Sequence, residues 1–195
     1  MKTSFLDPKL KSQNQVGFGP SPSGRGLPRI LIRIDQVSTF TEEHVSAAQK
    51  EWGDGIVRIS TTHKNGGDFE KVAIEHIQNL YNYGASQVLF KPTLAAEVQF
   101  RGTFEEALSY FVATNNICGE DGGFAIKGWT AVRFENTAVF LNGKTAMAMG
   151  NYFFTDPEGE VVKVEYSFGY VLDDHGKVKI VLHHSSVPYA GCRSE

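Results

Sequence analysis

The chain has 195 residues, 41% hydrophobic and 21% charged, with a formal net charge of −3. That composition suits one globular domain with a sizeable core, and no basic stripe offers the footprint that nucleic acids or anionic membrane surfaces need. No stretch approaches the roughly 20 apolar residues of a membrane span, and Cys118 and Cys192 lack Cys-x-x-Cys spacing, so they read as free thiols.

Residues 1–29 are rich in Gly, Pro and Ser, as in Gly17-Phe18-Gly19-Pro20-Ser21-Pro22-Ser23-Gly24. That is linker chemistry, a flexible tail or an arm over a partner, and the folded domain is expected over 30–195. Met1 to Leu6 lack the apolar run of a secretory signal. The compartment stays open, since a plastid or periplasmic address would follow if a targeting segment had been removed.

Thr39 or Thr41, followed by Glu42 and Glu43 and then Val45, Ala48 and Trp52, predicts a capped helix ended by Asp54-Gly55. Residues 56–61 then read as a short strand. Asp68 caps a second helix, in which Phe69, Val72, Ala73, His76, Ile77 and Leu80 recur at helical steps. Val88 to Lys91 form a strand stopped by Pro92, and Thr103 opens a third helix reaching Ala113. From Phe124 the chain becomes aromatic and β-branched. Strands are expected over 127–135, 137–141, 144–154, 161–172 and 177–187, with turns at Glu135-Asn136, Asn142-Gly143, Asp156 to Gly159 and Asp173 to Gly176. Helices first and an antiparallel meander last give an α+β domain, with helices on one face of a curved sheet and a cavity at its open end.

The unusual local string is His183-His184-Ser185-Ser186 on the last strand. Strand alternation places His183 and Ser185 on one face with Val181, and His184 and Ser186 on the other with Ile180 and Leu182. Either pair can look inward, and either can equally be a hydrogen-bonded structural pair. Adjacent strand residues cannot both face one ion, and no His-x-His or His-Glu-x-x-His string supplies converging zinc ligands. No Gly-x-Ser-x-Gly elbow supports a serine nucleophile. Gly119-Glu120-Asp121-Gly122-Gly123 is no phosphate cradle and reads as an acidic surface turn. Tyr166, Phe168 and Tyr170 read as core.

Several strings, taken in order, resemble the iota-class carbonic anhydrase domain. They are Phe90-Lys91-Pro92-Thr93, Ala95-Ala96-Glu97-Val98-Gln99-Phe100-Arg101, Ala107-Leu108-Ser109-Tyr110-Phe111, Gly122-Gly123-Phe124-Ala125-Ile126-Lys127-Gly128-Trp129 and His183-His184-Ser185-Ser186-Val187-Pro188. The resemblance covers roughly residues 40–190. It implies a nuclear transport factor 2-like cone, related to the association domain of the calcium/calmodulin-dependent kinase. It implies reversible hydration of carbon dioxide to bicarbonate in a homodimer; some members work with no metal and manganese has been proposed for others, and the expectation here is a pocket with no metal or other cofactor, alongside the absence of a nucleic-acid or membrane partner that the charge suggests. By motif position it assigns bicarbonate binding to Thr93, Tyr110, His183 and Ser185.

On that reading a positioned water attacks carbon while His183, directly or through Ser185, accepts its proton. Thr93 and Tyr110 donate to the growing negative charge, and Phe168 or Trp129 supply apolar walls. Two rivals share the fold. One is a non-catalytic oligomerisation or ligand-binding module. The other is an isomerase or dehydratase whose histidine pairs with Glu97 or Glu165.

Overall fold

Three polar residues start the three helices of the computed structural model, which describes residues 39–191. Thr41 caps α1 (Glu42–Lys64) in a reciprocal box with His44, Asp68 caps α2 (Phe69–Leu80), and Thr103 boxes with Glu106 at the start of α3 (Phe104–Val112). The tail 1–29 and Cys192 lie outside the described residues. Cys118 is a buried free thiol.

The remaining elements are β1 (Leu89–Lys91), a 3-10 turn (Phe124–Ile126), β2 (Ala131–Asn142), β3 (Thr145–Thr155), β4 (Val161–Leu172) and β5 (Val178–Ser186). They form one sheet in the order β1-β5-β4-β3-β2, antiparallel except for the β1–β5 pair. The sheet is not closed, and the helices cover its inner face, so the α+β expectation holds. Three of the four expected hairpin turns form, at Asn142-Gly143, Asp156 to Gly159 and Asp173 to Gly176. Asp156 and Asp173 each accept two backbone N–H bonds across their loops, and Gly143, Gly159 and Gly176 take the positive φ those turns need.

Two expectations fail for the same reason: polar or glycine signals marked close packing rather than chain reversal. Asp54-Gly55 does not end α1, and 56–61 is not a strand. The buried face runs on through Val45, Ala48, Trp52, Ile56 and Ile59. Gly53 is pressed against Val132, and Gly55 against the ring of His76. Likewise Glu135-Asn136 is a β-bulge inside one long strand, β2. Asn136, itself exposed, there accepts from Gln49 (2.8 Å) and Tyr166 (2.6 Å) and donates back to Gln49 (2.9 Å). The facing residue is Gly150, where any Cβ would overlap the Glu135 carbonyl oxygen.

The core is aromatic. Trp52, 1% exposed, stands edge-on to Phe111, Phe134, Phe154, Phe168 and His183. Such pairs add about 0.5–1.5 kcal/mol each beyond area burial. His76 lies in this core with neither ring nitrogen hydrogen-bonded, and burial, aided by Arg58, lowers its pKa to about 3.

Gly55→Ala should raise helix propensity by about 1 kcal/mol yet destabilise the protein by about 1–3 kcal/mol, because the methyl meets the His76 ring. Adding His76→Ala should recover most of that loss in a denaturant-unfolding cycle; a more stable single variant would contradict the packing. Between pH 6.5 and about 3 the unfolded chain binds a proton at His76 that the folded chain refuses. Stability should therefore fall as pH drops below about 6.5, and His76→Leu should flatten that slope in urea titrations from pH 7 to 4.

Candidate active site

The β1–β5 ladder pairs Leu89 with Leu182, Phe90 with His183 and Lys91 with His184. Pro92 has no N–H to extend β1, so the chain leaves the sheet at Thr93, level with the end of β5. There the Thr93 hydroxyl donates to Ser185 Oγ at 2.9 Å. Tyr110, on α3 and 5% exposed, stacks on Phe124 and stands edge-on to Phe90. Burial holds its phenol well above the ordinary tyrosine value, partly offset by backbone N–H groups of Leu94 and Thr93 beside the oxygen. Thr93, Tyr110 and Ser185 thus come together from three separate elements.

His183 and Ser185 are the inward pair, at 2% and 3% exposure. His184 is exposed, and Ser186 bonds Glu165 (3.0 Å) on the outer face. The alternation argument fails one step earlier. Val181 is an extra residue in a bulge opposite Gly169/Tyr170, so Ile180 faces inward with His183 rather than outward with His184.

His183 is enclosed on every side. Phe90 and Phe168, its neighbours across the two ladders, stack on its two faces at 4.8 and 4.1 Å, and Trp52 meets it edge-on at 5.4 Å. Nδ1 lies 2.8 Å from the Tyr81 hydroxyl and Nε2 lies 3.4 Å from that of Tyr152. Trp52 Nε1 donates to the same Tyr81 oxygen at 3.0 Å. Burial, then the neighbouring His184 and His76, push the His183 pKa well below 6.5. Burial thus favours the neutral ring, and each nitrogen faces a phenol rather than open space. Burial also raises the Tyr152 phenol, while hydrogen bonds with Ser185 and Thr93 pull it back. Tyr152 therefore stands between His183 and the hydroxyl pair. In the sequence Tyr81 follows the second helix and Tyr152 falls within the strand expected over 144–154, and no spacing sets them apart.

A clamp fixes the loop that carries Thr93. Arg101, wholly buried, pairs with Asp121 (2.8 Å) and Glu120 (3.4 Å). Glu120 also accepts from the N–H groups of Ala96, Glu97 and Val98 at 2.7, 3.0 and 2.8 Å. The expected acidic surface turn is thus an internal anchor. The backbone N–H of Arg101 donates to Phe90 O (2.8 Å) and its carbonyl accepts from Tyr83 (2.8 Å), tying the loop's end back to β1.

A recess of about 250 Å³ opens beside Leu94 and Tyr110, bordered by Asp121, Phe124 and Lys127. Of the expected walls, Phe168 lies against His183, whereas Trp129 sits behind Phe124 and Phe154. Glu97 and Glu165 are both exposed, so neither forms an inward carboxylate–histidine couple. Among the described residues no group of three or more His, Cys, Asp or Glu converges as a metal site, and no helix is long and apolar enough to cross a membrane.

The sequence model of the family described as metal-independent carbonic anhydrase matches residues 43–187. The metal-independent carbonic anhydrase of Nostoc sp. is 44% identical over 153 residues, covering 77% of this chain and 75% of the relative. Among solved structures, the cyanobacterial iota-carbonic anhydrase complexed with bicarbonate superimposes with a TM-score of 0.76 at 42% identity, over 78% of this chain and 95% of that one. A Xanthomonas campestris protein described as a calcium/calmodulin-dependent protein kinase II association domain gives 0.55 at 23% identity, over 78% and 91%, a likeness of fold alone. The chain belongs to the metal-independent, iota-class carbonic anhydrases.

Proposed function

We propose that this chain hydrates carbon dioxide where the hydroxyls of Thr93, Ser185 and Tyr110 converge, with His183 orienting the site from behind. The observation that carries this reading is the 2.9 Å contact between Thr93 and Ser185, two hydroxyls 92 residues apart in sequence that meet in one part-buried corner. The relative solved with bicarbonate lends it chemical sense.

Attack by water forms a C–O bond, moves one C=O electron pair onto oxygen and releases one water proton to solvent. The catalytic demand is stabilisation of negative charge on the carbon dioxide oxygens. Hydroxyl donors can meet it if they are already aimed and water is excluded. In the resting site Thr93 donates to Ser185; with substrate present, both hydroxyls and the Tyr110 phenol turn to it. The original expectation of His183 as the proton acceptor loses support. Both its nitrogens face phenols, and burial opposes a charged ring. A homodimer belongs to the same reading. Exposed Phe140, Met147 and Met149 on the outer sheet face support it.

Ser185→Ala and Tyr110→Phe should each lower kcat/KM for hydration about 10²–10³-fold in chelator-stripped protein, with circular dichroism unchanged. Full activity in both would remove these residues from the reaction. Because burial raises the Tyr110 phenol, it remains a donor beyond the ordinary tyrosine pKa of about 10. The hydration rate should show no alkaline fall from phenol ionisation below that pH in stopped-flow assays; a fall near pH 9 that vanishes in Tyr110→Phe would contradict the burial argument.

A further inference from the structure

The hydrogen-bond chain behind the hydroxyl pair has a direction, and the direction follows from one residue. An indole nitrogen can only donate. Trp52 Nε1 therefore donates to the Tyr81 oxygen (3.0 Å). Among the described residues that phenol has one other polar neighbour, His183 Nδ1 at 2.8 Å. If Nδ1 carried the proton, the Tyr81 oxygen would accept twice and its own proton would have no partner in a fully buried site, an arrangement that low dielectric makes costly. The Tyr81 proton therefore goes to Nδ1. A neutral imidazole so engaged carries its proton on Nε2, the nitrogen facing Tyr152 at 3.4 Å. Tyr152 then accepts from His183, which leaves its own O–H to be donated elsewhere, and the hydroxyls near it are those of Ser185 and Thr93.

We propose that Tyr152 is a further catalytic donor of this site, and that Trp52, Tyr81 and His183 are positioning residues that fix the direction in which its proton points. All four side chains are 1–2% exposed, and they come from α1, the end of α2, β5 and β3. Each donates to the next, so donors in series polarise the last phenol toward the reacting oxygens. The aromatic stack on His183 keeps its ring from rotating out of line. The inference rests on carbon dioxide hydration taking place at Thr93, Tyr110 and Ser185.

The test uses the full chain labelled with 15N-histidine, the His183 signals being those missing from His183→Asn. Imidazole 15N shifts at pH 7 should report a neutral ring with its proton on Nε2. In Tyr81→Phe, which removes one oxygen and keeps the shape, the His183 signals should shift toward the other tautomer while circular dichroism stays unchanged. Tyr152→Phe should lower kcat for hydration about 10²–10³-fold with little change in KM, and Tyr81→Phe should cause a smaller loss of the same kind. A proton on Nδ1, a charged ring, or full activity in Tyr152→Phe would overturn the proposal. The tautomer is read without turnover, and Ser185→Ala tests the hydroxyl corner by itself, so a failure of the hydration site is distinguishable from a failure of the relay.

Discussion

Everything at the site depends on a parallel ladder of three residue pairs between β1 and β5. Such pairing needs a long crossover, and here it joins residues 89–91 to residues 182–184. It sets Phe90 against one face of His183, while the antiparallel β4 sets Phe168 against the other. It also brings the residue released by Pro92 level with Ser185. A one-residue slip would exchange inward and outward side chains along this edge and disperse the stack and the hydroxyl pair together.

Burial acts on the phenols and the buried imidazole of the site in one sense. It raises the phenols of Tyr81, Tyr110 and Tyr152 and lowers the imidazole of His183. Each group is thereby held in its uncharged form. An uncharged, largely apolar interior suits a small gas molecule, and the hydroxyls need to engage only as charge appears on it. The metal enzymes solve the same problem by ionising a bound water; on the proposed reading this arrangement would instead act on the other reactant, through the oxygens that receive the charge.

Much of this was legible from sequence because the signals were local. Thr41, Asp68 and Thr103 announce their helices through the orphan N–H groups they satisfy, and Asn142-Gly143 and the two Asp-to-Gly loops announce hairpins through backbone conformation. The family resemblance assigns Thr93, Tyr110, His183 and Ser185, and the fold joins the hydroxyls of Thr93 and Ser185 and turns His183 and Ser185 inward. What escaped was long-range. Gly55 and Asn136 have turn-like chemistry, yet the first makes room for His76 and the second reaches from the sheet edge to the polar atoms of buried Gln49 and Tyr166. The Val181 bulge resets facing within β5 without any compositional mark. Trp52, Tyr81 and Tyr152 look like ordinary core aromatics until the fold brings their polar atoms into line.

The Arg101 clamp sets the unit of exchange for anyone grafting this segment between relatives. Its guanidinium is wholly buried, with two carboxylates and a backbone turn dependent on it. A planar fork cannot be swapped for an ammonium at such a position, and removing one partner strands the others' charge out of reach of water. Residues 92–101 and residues 120–121 therefore travel as one cassette: a transplanted loop that arrives without its acidic counterpart would lose its footing before any question of chemistry arises.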